Sequence, residues 1–282
     1  MIISDEREDH MIKQEKTEEI REHYNSDPKK EWDRLQKRYP HEKYITTRMM
    51  DRYIKPGDKI LDIGGGPGHY SIHYAGKGHD VTLFDLSDEN VRFAKKKARQ
   101  YKVKITAMQG NALDLSRFPE ASFDVVFLMG PLYHLMTEES RIKAIKEAKR
   151  VLKPGGYLFC SFILMFGGVI YGLREIEETI LWPEEQALYD VAARDGSLSF
   201  DAFTYAYMTT VKDAKKLLAA IRGLKTETVF GQESILSPYT NVLRGQPKKI
   251  RLAWYDYAVR FCEKEEYMTH TEHLMIVSKK SE

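Results

Sequence analysis

The sequence predicts an α/β fold with a doubly wound, mostly parallel sheet of seven strands and helices on both faces. Three observations predict it. Short apolar runs alternate with amphipathic helical patterns, and continuous apolar strands are typical of a parallel sheet that is covered on both sides. A glycine-rich loop directly follows the first run, before a helical pattern. An acidic residue, Asp85, ends the second run.

The composition sets limits on the class of protein. The 282 residues, 42% of them hydrophobic, suffice to bury a full core. No apolar run approaches the roughly 20 residues that a membrane helix needs, and the charged start lacks the apolar segment of a signal peptide. We therefore expect a cytoplasmic protein. Cys160 and Cys262 have no metal-ligand spacing, which predicts two free buried thiols and no metal site.

The chain begins with a segment of mostly charged residues. Positions 1–44 carry sparse apolar residues, a pattern that indicates one or two partly buried helices. We interpret this segment as an N-terminal helical lid. A helical spacing follows over 45–53 and ends at Lys55-Pro56-Gly57, which cannot continue a helix.

Strand and helix patterns then alternate. Ser87 can cap the helix after the second strand, and the segment 153–156 ends the helix before the fifth strand. The predicted strands of this part are 59–63, 80–85, 103–108, 123–129 and 157–162.

The alternation stops after residue 164. About forty aromatic-rich residues separate it from the next regular element, and long segments of this kind are usually functional. We interpret 165–208 as a cap insertion. Beyond it, Thr210 can cap a helix, and two last strands follow at 226–231 and 273–278. The predicted core is therefore 45–164 together with 209–282.

The loop after the first strand, Asp62-Ile63-Gly64-Gly65-Gly66-Pro67-Gly68, predicts a bound ligand. Glycines lack a Cβ atom, so a ligand can approach the backbone, and the following helix start offers unpaired N–H groups. Asp85 ends the neighbouring strand, where a carboxylate can accept hydrogen bonds from a ribose diol. Together these features predict a nucleoside-bearing cofactor.

The glycine spacing discriminates between cofactors. A dinucleotide loop, G-x-G-x-x-G, would need a third glycine where this chain has His69, whose side chain would obstruct the close helix contact. A nicotinamide-dependent oxidoreductase is therefore the least favoured of the functions that we consider. The G-x-x-x-x-G-K-[ST] motif of nucleotide triphosphate loops does not occur in the sequence.

The pattern acidic-x-G-x-G-x-G from Asp62 to Gly68 resembles the class I S-adenosylmethionine-dependent methyltransferases, a Rossmann-like superfamily. Further matches follow in order at 110–115, 123–130 and 152–156, so the resemblance covers roughly residues 55–165. It implies S-adenosyl-L-methionine as the cofactor and places the chain in the small-molecule branch of the superfamily.

The resemblance also implies which residues bind the cofactor. The loop lies against the methionine part, Asp85 binds the ribose, and Leu86 lies beside the adenine. Asn111 stands where the family usually has an acid that accepts from the adenine amino group, and its amide oxygen can still accept. Tyr24 could close over the cofactor from the lid, or anchor the lid to the core. The predicted cofactor-binding residues are Asp62, Gly64, Gly65, Gly66, Gly68, Asp85, Leu86, Asn111, Ala112, Met129, Gly130 and Tyr24.

Methyl transfer from a sulfonium is an in-line displacement, so the protein chiefly aligns the reacting atoms and excludes water. A base is needed only when the acceptor must lose a proton. His134, after the fourth strand, is the first candidate base, with a histidine satisfied by the backbone as the equal alternative. Tyr133 is a candidate hydrogen-bond donor. Cap aromatics could line an apolar substrate pocket or be simple core; the candidates are Trp182, Tyr205 and Tyr207.

Charge indicates the class of acceptor. The whole chain has a net charge of +2, whereas the cap has eight acidic residues against two basic ones, which would repel a phosphate backbone. We expect a small, partly apolar acceptor, methylated on O, N, S or C, and no nucleic-acid or membrane partner; a homodimer stays open. The alternatives are a methyltransferase for tRNA or protein, and a non-catalytic cofactor-binding protein of the same fold.

Overall fold

The computed structural model describes residues 14–282. Its centre is a nine-stranded sheet. The strands are β1 (Lys59–Ile63), β2 (Asp80–Asp85), β3 (Thr106–Gln109), β4 (Phe123–Leu128), β5 (Leu152–Leu164), β6 (Leu198–Asp201), β7 (Tyr205–Thr209), β8 (Leu224–Gly231) and β9 (His273–Lys280).

Helices connect and cover these strands. They are α1 (Thr17–Ser26), α2 (Pro28–Asp33), α3 (Pro40–Met50), α4 (His69–Gly76), α5 (Asp88–Gln100), α6 (Glu138–Val151), α7 (Met165–Glu175), α8 (Pro183–Ala192), α9 (Val211–Ala219), α10 (Thr240–Arg244) and α11 (Lys248–Phe261), with a π-helical turn at Arg34–Arg38.

The strand order confirms the predicted doubly wound α/β fold. The sheet runs β3-β2-β1-β4-β5-β7-β6, with β1 to β5 parallel. β9 pairs antiparallel with β5, and β8 pairs antiparallel with β9. The sheet has nine strands instead of the predicted seven, because the segment 198–209 forms a hairpin that joins the end of β5.

Side chains of the central strands alternate between two cores, which explains their continuous apolar sequence. Leu61 and Val126 contribute to one cluster, whereas Ile60 and Phe127 contribute to the cluster on the other face. Helices cover both clusters. Both cysteines are free and buried, as the sequence predicts.

Two predicted helix caps form. The Ser87 hydroxyl accepts a hydrogen bond from the Asn90 N–H at 3.0 Å, and the Thr210 hydroxyl accepts from the Asp213 N–H at the same distance. Each cap satisfies an N–H group that has no partner inside its helix.

The N-terminal segment is tied to the start of α6. The carboxylate of Glu15 accepts hydrogen bonds from the N–H groups of Met136 and Thr137, at 3.2 and 3.0 Å. A carboxylate is favourable there because the unpaired N–H groups of a helix start carry partial positive charge. Of the predicted lid, 1–44, positions 1–13 lie outside the described residues. Within the described part, no helix is long and apolar enough to cross a membrane.

Candidate functional site

A cavity of about 1220 Å³, including its opening to solvent, follows the carboxyl-terminal edge of the parallel strands. Open α/β sheets bind ligands at this edge. The strand order arranges the lining residues in a row: Asn111 and Asp85 lie at one end, Gly64 and Tyr133 in the middle, and His273 at the other end. We call the first end the Asp85 pole and the last the His273 pole.

The glycine loop has the backbone that the sequence predicts. Gly64 has φ +70°, and a Cβ atom on it would lie 2.5 Å from Cδ of Pro131. Gly66 has φ +54°, yet a Cβ on it would meet nothing within 4 Å, because the space beside it belongs to the cavity. Gly64 therefore permits close packing of the loop, whereas Gly66 leaves room for a ligand.

Asp85 holds this loop in place. Its carboxylate accepts hydrogen bonds from the backbone N–H groups of Gly66, at 2.7 Å, and Ser87, at 2.9 Å. Burial raises the pKa of this carboxyl, while the two backbone N–H groups oppose the shift. Asp62 is also buried and accepts from the Ser71 hydroxyl at 2.6 Å; burial raises its pKa to about 6.

Most predicted cofactor residues line this cavity. Gly68 is the exception: it begins α4 with φ +92°, and a Cβ on it would come within 3.0 Å of Cβ of Ala94. Its role is close helix packing. The side-chain oxygen of Asn111 accepts from the Leu113 N–H at 2.9 Å and so shapes its own turn. The predicted residues that line the cavity are Asp62, Gly64, Gly65, Gly66, Asp85, Leu86, Asn111, Ala112, Met129, Gly130, Tyr24, Tyr133 and His134.

His134 connects the lid to the core. Its Nδ1 lies 2.9 Å from the carbonyl oxygen of Tyr205, and its Nε2 lies 2.5 Å from the Tyr24 hydroxyl. A carbonyl can only accept, so Nδ1 carries the proton and Nε2 accepts from Tyr24. Burial lowers the pKa of His134 to about 4, which keeps the ring neutral. Because both ring nitrogens of His134 are engaged in hydrogen bonds, the structure favours the predicted alternative, a histidine that bonds to the protein, over a catalytic base.

The three cap aromatics are not cavity residues, which corrects their prediction as substrate contacts. Trp182 is 42% exposed, just before α8. The ring of Tyr207 lies 3.5 Å from the guanidinium carbon of Arg141. Tyr205 and Tyr207 belong to β7, which pairs with the end of β5, and neither lines the cavity.

A buried ion pair at the His273 pole is absent from the sequence predictions. His273 Nδ1 lies 2.6 Å from a carboxylate oxygen of Glu233. The other carboxylate oxygen accepts from the Thr271 hydroxyl and the His273 N–H, at 2.6 and 2.9 Å. Burial opposes both charges, but their mutual attraction raises the pKa of His273 to about 9 and lowers that of Glu233 to about 2.

A second ion pair and a polar chain complete this pole. Arg34 donates two hydrogen bonds to the buried carboxylate of Glu42, at 2.6 and 3.1 Å. The Gln232 side chain accepts from the Ser161 hydroxyl at 2.5 Å and donates to Thr46 at 3.2 Å. The pole is therefore polar but internally paired.

The geometry of these pairs bears on metal binding. Ligand-type atoms of Glu42, Glu233 and His273 lie within 4.8 Å of one another. However, Arg34 occupies both oxygens of Glu42, and His273 donates its Nδ1 proton to Glu233 instead of offering a lone pair. The two carboxylate oxygens of Glu42 and the Nδ1 atom of His273 are therefore engaged in hydrogen bonds with the protein.

Comparison with known proteins identifies the family. Residues 60–156 match a family model described as a methyltransferase domain. The chain is also 34% identical over 198 residues to the ubiquinone/menaquinone biosynthesis C-methyltransferase UbiE of Shewanella sediminis, which covers 68% of this chain and 72% of that protein. The chain belongs to the class I S-adenosylmethionine-dependent methyltransferases. The predicted family and its cofactor, S-adenosyl-L-methionine, are thereby confirmed.

The chain is also similar to further proteins. The 27-O-demethylrifamycin SV methyltransferase of Amycolatopsis mediterranei is 34% identical over 129 residues, 43% of this chain and 46% of that protein. The chain spans less than half the length of several curated relatives that it matches. A solved S-adenosylmethionine-dependent methyltransferase of Methanosarcina mazei has a TM-score of 0.55 at 22% identity, covering 83% of this chain and 97% of that chain. This last likeness shows the fold.

The glycine loop and Asp85 fit the cofactor. A Cβ on Gly66 would meet nothing within 4 Å, and the buried carboxylate of Asp85 lies beside it, accepting from the Gly66 N–H at 2.7 Å. This open space lets a nucleoside-bearing ligand approach the backbone next to a carboxylate.

Proposed function

We propose that this protein transfers the methyl group of S-adenosyl-L-methionine to a small, partly apolar molecule. The observation that carries the proposal is the continuous cavity along the sheet edge, which extends from Gly66 and Asp85 to the polar His273 pole. One end suits a nucleoside, and the other leaves room for a second small molecule.

The Asp85 pole would hold the cofactor. Asp85 would accept from the ribose hydroxyls, with Asn111 near the adenine, as the family resemblance implies. The carboxyl group of Asp62 lies at the end of β1, where it would face the methionine part of the cofactor. Tyr24 and its neighbours on α1 would cover the bound molecule, because they line the cavity from the lid side.

The acceptor would lie between Tyr133 and His273. Leu35, Leu135 and Ser161 are among the residues that line the cavity, so it offers both apolar surface and a hydroxyl. The names of the two curated relatives, a rifamycin and a ubiquinone/menaquinone methyltransferase, support a small-molecule acceptor of partly apolar character.

The bound cofactor supplies an electrophilic methyl group, so an acceptor lone pair forms the new bond to carbon while the bonding electron pair stays on sulfur. The protein's task is to align these three atoms and exclude water. The predicted lid would close the cavity through the Tyr24–His134 hydrogen bond, and Tyr133, which lines the cavity, would lie beside the reacting atoms.

The test combines binding and turnover. Calorimetry with S-adenosylhomocysteine should show binding to the wild-type chain, and Asp85→Asn should weaken it about tenfold or more, because the amide cannot accept all the hydrogen bonds of the carboxylate. Asp114→Asn, which alters an exposed carboxylate outside the cavity, is the matched control and should bind as wild type.

Turnover is followed as radioactive methyl transfer from the cofactor to a panel of small acceptors. Product formation on a small molecule supports the proposal. Absence of S-adenosylhomocysteine binding contradicts it. Tight binding without transfer to any acceptor would favour a non-catalytic cofactor-binding protein, and a gel shift with tRNA at physiological salt would revive a macromolecular acceptor.

A further inference from the structure

We propose that the methyl acceptor presents an ionised oxygen, of the phenolate, enolate or carboxylate class, to the Nε2–H of His273. This inference deepens the proposed function and rests on it. It assigns the substrate-recognition role to the His273–Glu233 pair instead of to the cap.

The first step is the orientation of the His273 ring. Glu233 fixes Nδ1 at 2.6 Å, and the carboxylate is itself fixed by Thr271 and by the His273 N–H. Nε2 has no hydrogen-bond partner among the described residues and is not enclosed, while the residue lines the cavity. The ring is thus held by one nitrogen and offers the other to a ligand.

The second step is the charge of the ring. The ionisable groups that face His273 are Glu233, Glu42, Arg34 and Tyr133. Burial and Arg34 lower the pKa of His273, but the two carboxylates raise it by more, so the pKa is about 9. The ring is therefore an imidazolium at neutral pH, and its Nε2 carries a proton that it can donate.

The third step is position. Tyr133 lies between the middle of the cavity and the His273 pole, with its ring centroid 6.2 Å from that of His273. An acceptor held by His273 would therefore extend past Tyr133 toward Gly64 and Gly130, where the family places the methionine part of the cofactor. Because the His273 pole and the Asp85 pole lie at opposite ends of the cavity, the acceptor and the cofactor would bind to different residues.

The fourth step is the charge of the acceptor group that would bind to His273. Arg34 pairs with Glu42 and His273 pairs with Glu233, so the pole has no net charge. Its open group, the Nε2–H of His273, can donate but cannot accept a hydrogen bond, and the cofactor's sulfonium would lie on the other side of the acceptor. An anionic oxygen is stabilised by both, whereas an ammonium could not bond to Nε2–H and would be repelled by the sulfonium. A charge-assisted hydrogen bond to such an oxygen is also stronger than a neutral one. Ionisation of the oxygen additionally makes the acceptor more nucleophilic.

The probe is para-nitrophenol, because its ionised form absorbs visible light and its neutral form does not. The full chain, saturated with S-adenosylhomocysteine, is titrated with this phenol below the pH at which it ionises in water. We expect bound phenolate absorbance, and binding about tenfold or more tighter than that of para-nitroaniline, which has the same shape but does not form the anion.

Removal of His273 alone would leave Glu233 buried and unpaired, which can unfold the chain. The variants are therefore Glu233→Gln, which keeps the ring but removes its counter-charge, and the double variant Glu233→Gln with His273→Gln. Both should lose the phenolate signal and the preference over the aniline. His270→Gln, at an exposed histidine outside the cavity, should retain both.

The outcomes separate the two proposals. If S-adenosylhomocysteine does not bind to the wild-type chain, the proposed function itself fails. If it binds to the chain and to both variants, but phenol and aniline bind equally or not at all, the acceptor inference is overturned. It is also overturned if the variants keep the phenolate signal, or if the signal requires a divalent cation and disappears with EDTA.

Discussion

At the scale of single residues, Gly66 and Gly78 share a left-handed backbone conformation but differ in whether they line the cavity. Gly66 and Gly78 both have positive φ, +54° and +92°, and a Cβ on either would meet nothing within 4 Å. Only Gly66 lines the cavity. We predict that Gly66→Ala weakens S-adenosylhomocysteine binding about tenfold or more, because the new methyl group occupies ligand space.

Gly78→Ala is the matched control. Both substitutions place alanine in the left-handed region, so each should lower the free energy of unfolding by about 1–2 kcal/mol. Calorimetry and urea unfolding on both variants separate the two effects. Equal loss of affinity in the two variants would mean that strain, and not ligand space, explains the glycine at position 66.

At the scale of elements, a buried hydrogen bond is one of the contacts between helix α1 of the predicted lid and the core. The Tyr24 hydroxyl donates to His134 Nε2 at 2.5 Å, across a sequence separation of 110 residues. We predict that Tyr24→Phe weakens S-adenosylhomocysteine binding about fivefold and speeds its dissociation, since loss of one such hydrogen bond costs about 1 kcal/mol. Stopped-flow displacement of the bound ligand measures the dissociation rate.

Tyr44→Phe is the control for the lid prediction. It removes another tyrosine hydroxyl from the N-terminal part, one that donates to the exposed carboxylate of Asp256 at 2.7 Å and lies outside the cavity. Its dissociation rate should equal that of the wild type. A dissociation rate that stays unchanged in Tyr24→Phe would show that the hydrogen bond does not hold the lid on the ligand.

The sequence predicts the central elements well and the peripheral ones less well. β1 and β2 have the predicted limits because their apolar runs are continuous and buried on both faces. β3 begins at Thr106 instead of 103, since this strand at the edge of the sheet has fewer buried residues to define its pattern. In the hairpin at 198–209 only β6, Leu198-Ser199-Phe200-Asp201, alternates apolar and polar residues, whereas β7, Tyr205-Ala206-Tyr207-Met208-Thr209, is mostly apolar and lacks that strand pattern.

At the scale of the whole molecule, the two poles of the cavity differ in how far the sequence predicts them. The Asp85 pole is encoded by a local motif and by the end of the next strand. The His273 pole joins residues from α3, β5, the end of β8 and the start of β9, which no spacing rule connects. The direction of β9 would have placed His273 at the site. Because β9 is antiparallel to β5, its first residue, His273, lies at the same edge as the carboxyl ends of the parallel strands.

Acid stability is also a property of the whole molecule. Burial lowers the pKa of His41, His73 and His134 to about 4 and that of His69 to about 3, from an ordinary value of 6.5. Below pH 6.5 the unfolded chain therefore binds protons that the folded chain does not, so the free energy of unfolding falls as the pH falls. Groups with a raised pKa oppose this loss. Asp62, with its pKa raised to about 6, takes up a proton in the folded chain below that pH, and His273, with its pKa raised to about 9, adds stability as the pH falls from about 9 to 6.5.

We predict a net loss of roughly 3–5 kcal/mol between about pH 7 and pH 5, because each unit of pKa difference is worth about 1.4 kcal/mol and the four histidines outweigh the groups whose pKa is raised. Urea unfolding across this range measures the slope. His69→Gln should reduce the slope by about one proton. A slope that His69→Gln does not change would mean that this ring takes up its proton without unfolding, despite its stacking on Trp32 at 4.0 Å.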